Sequence, residues 1–218
     1  MVVYYDYTIQ LDDHVYPPSE DTFLLCDTIK QELTGRRFAT GVDLGCGTGL
    51  TSLVLSEFTY HVFAVDVNPY AVELCKHNVK LNELDDRITV LKSDLFERLP
   101  DRYDVVVFNP PYLPRSEGSV GSVGSEVEDG NDLSGSKGSG PDWFDLSLYG
   151  GVDLLIRFVD EVSDHLKEDG ILLLLMSSLT PPDPILKYSD SKGISFESVS
   201  EKRFFFETLY VYRGRFVE

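Results

Sequence analysis

Residues 39–69 run ATGVDLGCGTGLTSLVLSEFTYHVFAVDVNP, and this stretch decides the fold. ATGVDLG (39–45) is of strand length and ends on the first of three alternating glycines, Gly45, Gly47 and Gly49. TSLVLSEF (51–58) has the apolar spacing of a short helix, and HVFAVDV (61–67) is a second strand. Asn68 before Pro69 marks a helix start, with Asn68 as its cap, for PYAVELCKHNVKLN (69–82). Strand, turn, helix, strand in so short a span makes a βαβ unit: two parallel strands joined by a right-handed crossover.

The same alternation continues in both directions. On the N-terminal side, PPSED leads into a helix through TFLLCDTIKQEL (22–33). On the C-terminal side come strands ITVLKSD (88–94) and YDVVVFN (103–109), helix GVDLLIRFVDEVSDHL (151–166) and strand GILLLLMSS (170–178). A helix after TPPDP and two closing strands, SFESVS (195–200) and RFFFETLYVYR (203–213), complete the chain. The expected fold is a Rossmann-like α/β domain of about seven strands, mostly parallel, with helices on both faces and an antiparallel edge hairpin. Residues 1–218 are expected to form a single domain. Residues 116–140 stand apart: Gly and Ser fill more than half of SEGSVGSVGSEVEDGNDLSGSKGSG, which predicts a flexible, acidic insertion.

Composition narrows the function. With 42% apolar residues, the 218-residue chain has ample core to fold alone. No apolar run reaches the length of a membrane span, and the N-terminus lacks the basic and apolar regions of a secretory signal. Cys26, Cys46 and Cys75 are an odd set without ligand spacing, so reduced thiols in a cytoplasmic protein are expected and no metal site is indicated. A net charge of −18 repels a phosphate backbone and disfavours generic nucleic-acid binding.

The chemistry-bearing residues follow the strands. The glycines let the backbone turn sharply and approach a ligand, but a G-x-G-x-x-G dinucleotide fingerprint would need glycine where Leu50 stands. Asp43 ahead of a GxGxG turn fits S-adenosylmethionine (SAM), whose ammonium group and ribose hydroxyls need acceptors. Asp66 closes the second strand and is placed to accept both ribose hydroxyls. Asp94 follows the third, suited to the adenine amino group with Leu95 beside the ring. Acidic residues after successive strands point to one ligand across their carboxyl ends. The fourth such strand runs into Asn109-Pro110-Pro111-Tyr112.

DLGCGTG, VDVNP, SDLF and FNPPY, in this order, resemble the class I SAM-dependent methyltransferases, and NPPY resembles the branch that methylates planar amide or amine nitrogens. VYPPSEDTFLLCD (15–27) is similar to the opening of the HemK-like protein-glutamine methyltransferases of archaea and eukaryotes. The resemblance covers most of the chain apart from 116–140. It departs mildly at Pro18 and Ser19, and it implies a chain without the extra N-terminal helical domain of bacterial HemK-type enzymes. It further implies that Asn109, through its side-chain oxygen, and Pro110, through its carbonyl, accept the two hydrogens of a glutamine amide. Pro111 would fix the loop and Tyr112 wall the planar group, while Glu20 and Thr22 close over cofactor or substrate. The implied substrate is the glutamine of the Gly-Gly-Gln motif in a class I translation release factor. The implied partner is a small zinc-binding activator subunit, for which RITVLKSD (87–94) is the candidate contact. The same tetrapeptide also suits N6-adenine methylation of DNA or RNA after base flipping, against which the net charge argues.

Overall fold

A computed structural model describes residues 1–99, 101–113, 143, 148 and 150–217; the insertion expected at 116–140 lies outside the described residues. Its main sheet contains β3 (Phe38–Leu44), β4 (Thr59–Asp66), β5 (Ile88–Lys92), β6 (Tyr103–Phe108), β7 (Leu166–Ser177), β8 (Ile194–Arg203) and β9 (Thr208–Phe216). The strand order is β5-β4-β3-β6-β7-β9-β8, and the pairs from β5 to β7 are parallel. β9 pairs antiparallel with both β7 and β8, which supplies the expected closing hairpin. This is the seven-stranded, mostly parallel Rossmann-like arrangement expected from the sequence.

Period-two burial explains why the central strands are apolar throughout. Val105 and Val107 of β6 face one core with Ile171, Leu173 and Leu175 of β7. Their neighbours Val106 and Phe108 face the other, with Leu172, Leu174 and Met176. A strand covered on both sides by helices has no solvent face to mark with polar residues. The first core takes in α1 (Glu20–Leu33), α2 (Leu50–Ser56) and α3 (Pro69–Leu81); the second takes in α4 (Gly151–His165) and α5 (Asp183–Ser191).

Two local expectations need correction. The run RFFFETLYVYR is not one strand: β8 extends through Arg203, β9 begins at Thr208, and the hairpin between them exposes Phe205 and Phe206 almost fully. Three consecutive phenylalanines read as strand by composition, although they sit in the turn that Glu207 and Thr208 close. The N-terminus also forms an unanticipated antiparallel hairpin, β1 (Val2–Tyr4) with β2 (Tyr7–Ile9). Its turn places Tyr5 at φ 51° and Asp6 at φ 70°, a left-handed pair without the usual glycine or asparagine signal.

That hairpin and the residue after it are held by the side-chain amides of Asn78 in α3 and of Asn82, which caps that helix. Thr8 N donates to Asn82 Oδ1 (2.9 Å) while Asn82 Nδ2 donates to Thr8 O (2.8 Å). Gln10 N donates to Asn78 Oδ1 (2.8 Å) and Asn78 Nδ2 returns to Gln10 O (3.0 Å). Each amide thus mimics a strand neighbour, offering one donor and one acceptor. Asn78 is fully buried, and its Nδ2 also donates to Thr48 O (2.9 Å) in the glycine turn. Asn78→Ala should therefore destabilise the fold by about 2–4 kcal/mol, because it leaves backbone groups of Gln10 and Thr48 unpaired. Urea unfolding measures this, and a cost below about 1 kcal/mol would contradict the role assigned to the amide.

Candidate active site

The chain leaves β3 for β4 and β5 on one side, then returns to place β6 on the other side of β3. Loops at the carboxyl ends of β3 and β6 therefore diverge, and the crevice between them is where open α/β sheets take ligands. A cavity of about 320 Å³ opens there, lined by Gly45, Gly47, Asp66, Asp94, Leu95 and the Asn109–Tyr112 loop, among others.

The glycine turn needs its glycines for different reasons. Gly45, Gly47 and Gly49 have φ of 68°, 51° and 87°, in the left-handed region that favours glycine. Gly45 and Gly47 border the cavity, and around Gly47 a side chain would meet only open space. Gly49 instead caps α2, where a Cβ would lie 2.8 Å from the Cys75 sulfur of α3. Its role is helix packing behind the turn, and it does not line the cavity.

Asp66 stands at the hinge of this arrangement. One carboxylate oxygen accepts from Gly47 N and the other from Asn68 N, both at 2.9 Å. Each oxygen keeps a lone pair directed elsewhere, as a vicinal diol requires. Loss of solvation in the recessed wall raises its pKa, while the backbone amides of Asn68, Gly47 and Val67 oppose the rise. Asp43 lies deeper, buried and outside the lining residues; its carboxylate accepts the Ser52 hydroxyl at 2.5 Å. Burial pushes the Asp43 carboxyl up to about 7. Asp94 lines the cavity and pairs with Arg157 of α4 at 3.0 Å. Leu95 beside it is buried and held at φ 43°, an unfavourable conformation for a leucine, with the Ser93 hydroxyl donating to its carbonyl at 3.1 Å.

The loop after β6 is fastened at Asn109, Pro111 and Tyr112. Pro111 O accepts from Gly150 N (2.9 Å), and a Cβ on Gly150 would lie 2.4 Å from that oxygen. Tyr112 O accepts the Thr180 hydroxyl. Burial raises the Tyr112 phenol well above its ordinary pKa, with the carboxylates of Asp21 and Glu207 adding to the effect. Asn109 Nδ2 donates to Asp21 Oδ2 (3.2 Å), and Asn109 Oδ1 is buried with no hydrogen-bond partner among the described residues.

Most of the anticipated residues converge on this cavity: Thr22, Gly45, Gly47, Asp66, Asp94, Leu95 and Asn109 through Tyr112. Glu20, Asp43 and Gly49 do not line it. Glu20 points outward to an ion pair with Lys202. Asp21, between the two residues singled out in SEDT, lines the cavity and escaped sequence reading, as did Tyr16 and Glu207. Asp21 has the position in the first turn of α1 that acidic residues favour in any helix, so its sequence signal is ambiguous. The residues present fit SAM: a glycine cradle, an anchored carboxylate with spare lone pairs, and an unpaired buried acceptor at the far end.

The methyltransferase small domain profile matches residues 20–126. A Methanocaldococcus jannaschii protein assigned to protein N5-glutamine methylation is 34% identical over 205 residues, spanning 93% of this chain and 92% of that one. The release factor glutamine methyltransferase of Rhodopirellula baltica is 31% identical over 185 residues, 81% of this chain and 58% of its own length. Among solved structures, Mtq2 in the E. cuniculi Mtq2–Trm112 complex responsible for methylation of the eRF1 termination factor superposes with a TM-score of 0.63 at 24% identity, covering 93% of this chain and 98% of its own. With near full-length similarity at this level of identity, the chain belongs to the HemK/Mtq2-like family of glutamine methyltransferases, SAM-dependent enzymes of the class I fold.

Proposed function

We propose that the protein methylates the side-chain nitrogen of the glutamine in the Gly-Gly-Gln motif of a class I translation release factor. One observation carries this reading: the buried Oδ1 of Asn109, unpaired among the described residues, in a cavity otherwise suited to SAM. A buried acceptor without a partner is costly unless a ligand supplies the donor. An amide N–H of glutamine is such a donor.

When bound, SAM would supply an electrophilic methyl group: its carbon–sulfur bond would break as the nitrogen–carbon bond forms, the sulfur would leave as a neutral thioether, and the proton lost by the nitrogen would pass to solvent. The chain's contribution is aim and electrostatics. Asn109 Oδ1 takes one N–H and the Pro110 carbonyl the other, so the nitrogen is held in a single orientation. Both contacts strengthen as the nitrogen loses electron density, so they favour the transition state over the ground state. Pro110 restricts Asn109 to extended backbone, and Pro111 is locked through Gly150, so the acceptors are fixed before substrate arrives. Tyr112, half-buried in the cavity wall, offers a face for the planar amide. Gly45, Gly47, Asp66, Asp94, Leu95 and Thr22 are assigned to the cofactor, Asp43 supporting the turn from beneath and Gly49 from behind.

The release factor is named from the relatives, whose assignments to release-factor glutamine and to eRF1 methylation support it. The Mtq2 complex likewise supports a small activator subunit, which we take to be zinc-binding. β5 lies at the edge of the sheet, so the 87–94 segment has an unpaired flank within the described sheet that strand addition could use. We take the whole chain as one cytoplasmic domain carrying the acidic insertion.

With labelled SAM and the activator present, label should enter a release factor containing Gly-Gly-Gln and not its Gln→Ala variant. Undiminished transfer to that variant, or preferential transfer to duplex or single-stranded nucleic acid, would overturn the assignment. Asn109→Ala should lower kcat about 10²- to 10³-fold, the usual scale for one preorganised hydrogen bond to the reacting centre. SAM affinity, read by calorimetry, should change little, whereas wild-type turnover in the variant would remove Asn109 from the mechanism.

A further inference from the structure

We propose that Asp21 is a positioning residue, whose buried carboxylate fixes the side-chain amide of Asn109 with Oδ1 toward the substrate. The proposal rests on the assignment of Asn109 above and deepens it. An asparagine amide has two nearly isosteric ends, one donor and one acceptor, and only one serves a substrate that itself presents N–H groups. A flipped Asn109 would set NH₂ against N–H and disable the site without altering its shape.

Asp21 breaks that symmetry. It is 5% exposed, in the first turn of α1, and its two oxygens do separate work. Oδ1 accepts from Thr22 N at 2.7 Å and from the Thr22 hydroxyl at 3.3 Å, which satisfies the helix end. Oδ2 is not needed for that task and receives Asn109 Nδ2 instead, across 88 positions of sequence. A carboxylate offers only acceptors, so it can hold the NH₂ end of Asn109 and never the oxygen end. Hydrogen bonds to carboxylates are worth enough to bias the two amide orientations by tenfold or more. A residue present solely to cap the helix would leave Oδ2 free to face solvent. Here it turns into the cavity wall beside Tyr16, Tyr112 and Glu207.

Asp21→Asn supplies the test because it keeps the shape and removes one acceptor. Its single oxygen will be claimed by Thr22 N, leaving NH₂ toward Asn109, which must then flip. Expected are a loss of about tenfold or more in kcat and a SAM dissociation constant within about twofold of the parent. The partner-swapped double variant, Asp21→Asn with Asn109→Asp, restores a donor–acceptor pair and leaves one oxygen for the substrate. It should regain most of what Asp21→Asn loses, and it serves equally if the single variant folds poorly. Independently of turnover, the side-chain NH₂ of Asn109 should exchange slowly with solvent in the parent and about tenfold faster or more in Asp21→Asn, by NMR. Unchanged turnover and exchange in the single variant would overturn the proposal, as would a double variant no better than the single. If the parent fails to methylate the release factor while the Asn109 NH₂ still responds to Asp21→Asn, the function is wrong and the positioning stands.

Discussion

The carboxylate of Asp66 is the contact on which the cofactor half of the protein depends. It closes β4, and its two oxygens hold the glycine turn at Gly47 and the entry to α3 at Asn68. Asn68 in turn caps α3 by accepting from Tyr70 N (2.9 Å) and donates to His14 O (3.0 Å), which draws the 10–18 segment over the cavity. Val15 packs with Ala71 and Leu74, and Cys46 shares a core with Cys75, so apolar packing brings these pieces together while the carboxylate fixes their polar backbone groups. A group that organises its surroundings while keeping lone pairs for a ligand is already in place when the ligand arrives, so little ordering remains to be done on binding.

The other half of the cavity is built around an acceptor with no partner among the described residues, Asn109 Oδ1. A protein can leave Asn109 Oδ1 buried and unpaired only because the rest of the fold fixes it. β6 is buried on both faces, the two prolines restrict the loop, and Gly150 and Thr180 take its carbonyls. The local cost is recovered when a donor enters, so the site prefers ligands bearing N–H over isosteres that lack it. Selectivity for an amide nitrogen follows from hydrogen-bond polarity as much as from shape.

The sheet and the order of the ligand-facing loops were legible because both rest on short-range signals. Alternating strand and helix patterns, glycines at fixed spacing and acidic residues at strand ends are all local. Asn68 as a cap and Asp66, Asp94 and Asn109 at the cavity emerged as read. Features made by distant pairing were not legible. Asp21 acquires its meaning from Asn109, and Glu207 from the return of β9 to the cavity, where it accepts the Ser177 hydroxyl at 2.6 Å. Gly49 shows a different difficulty: a glycine against a ligand and a glycine against a neighbouring helix look the same in a string of letters. The N-terminal hairpin was missed because its stability comes from Asn78 and Asn82, and nothing within Val2–Ile9 announces it.

The pairing of that hairpin with α3 also bears on how the chain assembles. Residues 8 and 10 are synthesised well before the asparagines that complete their ladder, at 78 and 82. Until α3 is synthesised and docked, the backbone groups of Thr8 and Gln10 lack these asparagine partners, although Tyr5 and Tyr7 can already reach Phe23, Asp27 and Glu57; a two-stranded hairpin alone is marginal in water. Closing so long a loop comes late in folding, since its entropy must be met before its contacts form. Asn78 also grips the carbonyl of Thr48, so the side chain that completes the N-terminal ladder is the one that tightens the glycine turn. Binding competence for the cofactor is thereby linked to completion of the fold.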